Sequence, residues 1–421
     1  MHTDTIIKRP RRRGRLAVLG EPGFRRFFAA YATSLLGTSM AAVAVAFAVL
    51  DDGGTPTDLG YVFAAGIVPQ VLFMLAGGVI ADRFGRWRAM MGADLTRCLA
   101  QALLAAAVLA GRPHIWVFAT LAAVRGAGDS FFTPALSGLT LDITSLDTVR
   151  NANALLSAVR AAAQVAGPAL AGVLVAVAGP AVVIAVDAAS YAVSGLALAT
   201  LRTPSRRSGA PSAQALLADL RAGWAEFRGR AWLVVSTLQF TLLNLFTWGP
   251  YLLLGPVLAR DYLGGAGAWG AVLACYGAGS VLGGVLALGR RPRRPMLAAT
   301  VATFGYALPG ALLAARADLP GVAAGALAAG AGSALGGVFA TTAEQEQLPA
   351  ASLARVTAIQ TVTSFAFGPL AFAAAGPAAA WFGAAQVLGF GAIWCVLTAA
   401  LVLAVPAVRQ VRSGPARPVT E

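Results

Sequence analysis

The chain has 421 residues, 58% hydrophobic and only 12% charged, with 32 Lys and Arg against 18 Asp and Glu and a formal net charge of +14; its mean hydropathy is +0.72. A soluble chain carries about a quarter charged residues, so the composition excludes an ordinary soluble domain and implies a polytopic helical membrane protein. A pI near 11.0 could signal nucleic-acid binding, but the arginines fall in alternate loops, as in chains that retain them on the cytoplasmic side of a membrane, beside anionic headgroups.

A basic stretch, Lys8 to Arg15, opens the chain, and Leu16 to Gly20 is too short for a signal-peptide core. Apolar runs of roughly 20 residues, enough to cross ~30 Å of hydrocarbon, then recur. They predict spans at 27–50, 59–81, 89–110, 114–134, 152–178, 181–201, 232–257, 267–289, 296–315, 319–342, 355–376 and 384–406. Loops on one side hold nearly all the basic residues, while Arg112, Arg260 and Arg316 fall on the other. Both termini are therefore expected to be cytoplasmic.

The longest connection divides the chain near its middle. It predicts a basic cytoplasmic tail (1–26), a six-helix bundle (27–201), a cytoplasmic linker (202–231), a second six-helix bundle (232–406) and a cytoplasmic tail (407–421). Within the linker, Leu216, Leu220, Trp224 and Phe227 form the apolar face of an amphipathic helix suited to the inner membrane surface. Gly77-Gly78-Val79-Ile80-Ala81 recurs as Gly283-Gly284-Val285-Leu286-Ala287, and each copy leads into a basic turn. Such an internal repeat supports two related halves.

The first of these turns, Gly77 to Arg88, joins two apolar runs. Gly78, Asp82, Arg83, Gly85, Arg86 and Arg88 keep the pattern glycine, three residues, Asp-Arg, any residue, Gly-Arg, then a basic pair, with Trp87 in one basic place. The stretch resembles the signature between helices two and three of the major facilitator superfamily. That resemblance implies an all-α membrane protein with twelve transmembrane helices in two six-helix bundles, the major facilitator fold. Further stretches resemble the branch that contains the enterobactin exporter and macrolide-efflux-like proteins. They are Phe24 to Phe27, Arg125 to Ala135, Arg150 to Leu155, Gly167-Pro168, Asp187 to Tyr191, and Gln345, Pro349, Arg355 and Val356. Where that branch often has an acid after the glycine of helix one, this chain has Thr38 after Gly37.

A charge at mid-membrane costs roughly 3 kcal/mol on insertion scales and needs a partner or a purpose. Arg125 and Asp129, four apart, share a helix face. By resemblance, Asp129 pairs with the basic turn, so that Asp82, Arg83, Arg86 and Asp129 form either a gate that breaks between states or a static clamp. Arg125 either takes part in proton transfer or anion binding, as the resemblance implies, or simply neutralises Asp129. Asp187 has no basic neighbour in sequence, and desolvation disfavours its charge. It is a candidate for proton uptake or cation binding, or else a partly wetted acid bonded to Ser190 or backbone. Asp94 and Arg97 read as a local pair. Arg160 and Gln164 face the cavity or each other. By resemblance, Gln239, Asn244 and Trp248 on helix seven are plausible solute contacts, while Tyr251 reads as an interfacial anchor and Gln70 as a weaker candidate. Glu344 and Glu346 read as surface.

The three cysteines lie far apart, His2 and His114 sit in a tail and a loop, and no phosphate-binding loop is present. Neither a metal site, a cofactor nor enzymatic chemistry is expected. The expectation is a monomeric secondary transporter of the bacterial inner membrane. It exports an amphipathic small molecule, either drug-like or a siderophore, in exchange for protons. An importer or uniporter on the same scaffold, and a non-transporting receptor or scaffold, are the alternatives.

Overall fold

The computed structural model describes residues 17–111, 113–145, 148–201 and 213–414, with side chains throughout except at 17, 74–79, 81, 82, 84, 133, 137, 213–220, 350, 351, 354 and 365. The basic tail 1–16, the linker segment 202–212, Arg112, and the side chains of Gly78, Asp82, Leu216 and Leu220 thus lie outside the described residues. A short 3-10 turn, Ala17–Gly20, leads into α1 (Pro22–Asp51), α2 (Pro56–Phe84), α3 (Arg86–Ala110), α4 (Ile115–Ile143), α5 (Val149–Ala178) and α6 (Pro180–Ala199). The linker helix α7 (Ala213–Arg228) follows. Then come α8 (Ala231–Leu263), α9 (Ala266–Ala287), α10 (Pro295–Ala314) and α11 (Leu319–Gln347). The next span has two parts, α12 (Ala350–Ala366) and α13 (Gly368–Phe382), before α14 (Ala384–Ala404). Ten spans among the described residues are long and apolar enough to cross a membrane; α2 and α4, of 29 residues each, pack among them.

The helix ends follow from local chemistry. Pro22, Pro180, Pro295 and Pro369 occupy first turns, where the missing N–H costs nothing. Gly85 alone separates α2 from α3, at a φ of 96° that an L side chain resists. The principal departure from expectation is α4, which continues past Pro134 to Ile143. Leu136 and Leu139 extend its buried face, and Thr140 Oγ1 donates to the Leu136 carbonyl (2.9 Å). The gain from burying that face outweighs the single bond Pro134 removes.

The same packing occurs twice. α1 lies on α5 and α6, α2 on α4, and α3 on α4 and α6; in the second set α8 lies on α13 and α14, α9 on α11, and α10 on α11 and α14. The two sets meet where α2 crosses α13 and α5 crosses α9. These crossings require glycine. A side-chain carbon on Gly60 would stand 2.5 Å from the Phe372 carbonyl oxygen, and one on Gly270 2.5 Å from that of Pro168.

The two sets do not meet along their whole length. At the end holding the α1–α2 and α8–α9 loops, one apolar cluster spans both, including Val49, Leu50, Tyr251, Leu254 and Trp269. Toward the opposite end the apolar core divides into one cluster built on Phe24, Phe27 and Leu139 and another built on Trp232, Met296 and Val356. On α5, Asn153, Ser157, Arg160 and Gln164 form an exposed polar stripe at helical spacing. A stripe of that kind on a membrane helix faces a water-filled cleft rather than lipid. The linker helix docks at the second cluster through Phe227, with Trp224 half exposed and stacked on it at 5.6 Å.

Candidate functional site

Four helices of the first set converge on a buried polar network. From α3 come Asp94, Arg97 and Gln101, spaced three and four apart so that they share one face. Arg97, 4% exposed, binds Asp94 with one terminal nitrogen and Asp129 of α4 with the other (3.1 Å). Its guanidinium carbon lies 4.2 Å from the ring centre of Phe132 and 4.4 Å from that of Tyr191. The second oxygen of Asp129 meets Arg125 at 3.3 Å. The charges thus alternate along a chain of Asp94, Arg97, Asp129 and Arg125.

Beside this chain, Asp187 of α6 is fully buried. Gln101 Nε2 donates to its Oδ2 (2.6 Å), and Oδ1 has no hydrogen-bond partner among the described residues. Ser190 donates to the backbone oxygen of Asp187, not to its carboxylate (2.7 Å). The carboxylate lies against α1 at Gly37, where a side-chain carbon would stand 2.8 Å from Oδ1. Next along α1, the Thr38 hydroxyl shares a 2.8 Å hydrogen bond with that of Tyr191, one turn beyond Asp187. Thr38 thus ties α1 to the network without bringing a charge.

This network borders a cavity of about 310 Å³ between the two sets of helices. Thr38, Gln70, Gln101 and Arg125 line one wall, and Leu252, Trp269, Leu273 and Phe372 the other. A polar wall facing an apolar one suits an amphipathic guest.

The basic turn is built differently from expectation. Arg86 reaches Asp142 (3.1 Å) and the Gly138 carbonyl (3.1 Å) near the end of α4. Asp129 lies 13 residues earlier, about 20 Å along the axis at 1.5 Å per residue. The expected pairing of Asp129 with Arg86 is thereby replaced, with Asp142 as the acid that meets the turn. Arg83 is exposed, and Arg88 lies over the Trp87 ring at 5.2 Å.

The remaining candidates separate. Arg160 donates to the Tyr31 hydroxyl (3.0 Å) and Gln164 is exposed on the cleft stripe. Gln239 is buried and donates weakly to Thr303 Oγ1 (3.3 Å) at a second cavity inside the second set of helices. Glu344, expected at the surface, lines that cavity too. Asn244 donates to the Phe240 carbonyl four residues back (2.9 Å), at the start of a π-helical turn, Asn244–Trp248. Trp248 packs on Tyr276, Tyr251 and Tyr306 at 4.7–5.4 Å. Tyr251 is 2% exposed and is no interfacial anchor. Sequence reasoning missed Gln101, Tyr191 and Asp142 and took Arg97 as local. The spacing Arg97–Gln101 on α3 and Asp187–Tyr191 on α6 was the available signal.

Comparison with known proteins gives a consistent result. The profile of the Major Facilitator Superfamily matches residues 27–373. Multidrug efflux pump Tap of Mycolicibacterium fortuitum is 28% identical over 82% of this chain and 87% of its own length. Macrolide efflux protein A of Streptococcus pyogenes is 24% identical over 62% of this chain; the match spans 65% of that relative, just under two thirds. Among solved structures, the nucleoside transporter NupG superposes with a TM-score of 0.72 at 12% identity, covering 91% of this chain and 98% of that one.

Proposed function

The chain belongs to the Major Facilitator Superfamily, and from that premise we propose that it exports an amphipathic small molecule by alternating access, driven by protons returning inward. The relatives that carry efflux names support the direction and the drug-like cargo. The doubled packing pattern supports two six-helix bundles, 27–201 and 232–406, joined by the linker. In this reading an even count of twelve spans puts both termini on one side, and the placement of the arginines favours the cytoplasm. The cleft then opens inward and is sealed at the outer end. In this reading the transporter is a monomer in the bacterial inner membrane, and it needs no cofactor.

One observation carries the coupling. Among the described residues the network holds three carboxylates, Asp94, Asp129 and Asp187, against two guanidiniums, Arg97 and Arg125. An uncompensated charge is costly to bury, so one proton completes the set. Asp187 is the carboxylate with no guanidinium in contact and with one oxygen unpartnered. A proton taken there leaves the Gln101 bond to Oδ2 in place. It also removes a negative charge from the boundary of the cavity that Arg125 and Gln101 line. Charging and discharging Asp187 would bias the two openings, as a coupled two-state element requires.

Inverted membrane vesicles loaded by an interior-acid gradient test this. Wild type should accumulate members of a dye and drug panel, and Asp187→Asn should lose gradient-driven accumulation while retaining downhill exchange. If no compound moves under any gradient, the transport reading fails. Movement only in the opposite direction would make it an importer. Unaltered accumulation in Asp187→Asn would put the coupling site elsewhere.

A further inference from the structure

The second cavity, about 400 Å³, lies apart from the polar network, between α8, α10, α11 and α12. A 3-10 turn in α10, Thr303–Tyr306, contributes Thr303 and Tyr306 to the cavity lining. Departures from α-helix within a membrane are tolerated where they line a cavity and their polar groups are satisfied. Here the Thr303 carbonyl accepts from the Cys395 thiol (3.3 Å).

The lining is rich in hydroxyls, and several of their hydrogens are committed elsewhere. Ser236 donates to the Leu233 carbonyl (3.1 Å), Thr300 to Met296 (2.9 Å), Thr303 to Thr300 (2.7 Å) and Thr361 to Thr357 (2.8 Å). A hydroxyl has one hydrogen and two lone pairs. At these four positions the hydrogen is bound to the helix, and acceptor capacity is what remains. Glu344 adds a carboxylate, held by Gln360 Nε2 at 2.9 Å, and no Lys, Arg or His is among the described lining residues. At the far end the Tyr306 hydroxyl donates to Ser333 (2.6 Å), itself a lining residue, and the tyrosine adds an aromatic side chain to the wall.

A wall of lone pairs with one negative charge and an aromatic face recognises a donor-rich cation. We propose that this cavity binds an amine-bearing organic cation, with Glu344 as its counter-charge. The volume suits a drug-sized guest. An anion would meet the Glu344 charge with no cationic side chain among the described lining residues to offset it, so the site selects as well as binds. The proposal adds a cargo class to the transport reading above, and its test requires no transport.

Fluorescence titration of the full-length protein in detergent measures binding of ethidium, a cation with exocyclic amines, and of Nile red, an uncharged control. Glu344→Gln should weaken ethidium by about tenfold or more, the scale of one charge-assisted contact, and leave Nile red unchanged. Paired Thr300→Val and Thr303→Val removes acceptors at nearly constant shape and should weaken ethidium less. It serves as the decisive variant if Glu344→Gln does not give a monodisperse protein. Absence of saturable ethidium binding to wild type overturns the proposal, as does equal weakening of both probes or an unchanged ethidium affinity in the decisive variant. Gradient-driven movement of other dyes by the same protein in inverted vesicles would leave the transport reading intact in each case.

Discussion

Arg97 on α3 and Asp129 on α4 lie 3.1 Å apart, and the same guanidinium holds Asp94 one turn away on its own helix. One arginine thus joins two carboxylates across two helices, against the rings of Phe132 and Tyr191. Its value to the fold lies in what its loss would expose. Burying an ion pair is often near neutral overall, but removing one partner leaves an uncompensated charge.

Arg97→Gln is therefore expected to destabilise the protein by roughly 3–5 kcal/mol, read as a fall in thermal unfolding temperature in detergent. Arg97→Lys keeps the charge but loses the planar fork that spans two carboxylates, so it should fall between the two. Equal melting of Arg97→Lys and wild type would show that bridging contributes nothing and that charge alone matters.

The second ionic contact is of another kind. Arg86 and Asp142 are partly wetted, with side chains 19% and 9% exposed, and they join the α2–α3 turn to the end of α4. Such a pair can break at modest cost. If it opens during transport, Arg86→Gln and Asp142→Asn should each alter the transport rate, and the double variant should be no worse than either. A double-mutant cycle on stability should give a coupling of about 1 kcal/mol. Strictly additive effects on both readouts would mean that the two residues act separately.

The helices were legible because their apolar runs match the bilayer in length, and Gly85 and the opening prolines marked several ends. The clustering of the site was not. Asp187 was identifiable as an acid in an apolar run, but its partner Gln101 is 86 positions away, and nothing in the order of residues says that α3 faces α6. Asp142 was missed for a local reason: the expected span stopped at 134, whereas the helix continues for nine residues beyond it. Tyr251 misled because tyrosine suits a membrane interface and a buried aromatic cluster equally well, and only packing against Trp248 and Trp269 separates them. Glu344 looked like surface since the cavity beside it is made by four helices distant in sequence.

The glycine crossings between the two sets of helices allow the conformational equilibrium itself to be tested. At Gly270 an added side-chain carbon would stand 2.5 Å from the Pro168 carbonyl oxygen and 2.8 Å from Gly172 Cα. Both obstacles are backbone on the opposite set, so no side-chain rotation relieves them. Gly270→Leu should act as a wedge that penalises the sealed end while sparing a state in which α5 and α9 have parted there. Overpacking costs about 1–3 kcal/mol, and a difference of that size between two states changes their ratio roughly 5- to 150-fold. Spin labels on Pro113→Cys and Ala317→Cys, in a background lacking the three native cysteines, report the separation of the two sets at that end. The distance distribution should shift to longer values in Gly270→Leu, with a melting temperature near that of the labelled parent. A lower melting temperature with an unmoved distribution would mean that the crossing is a fixed weld rather than a contact that opens, and the rocking of one set against the other would have to be abandoned.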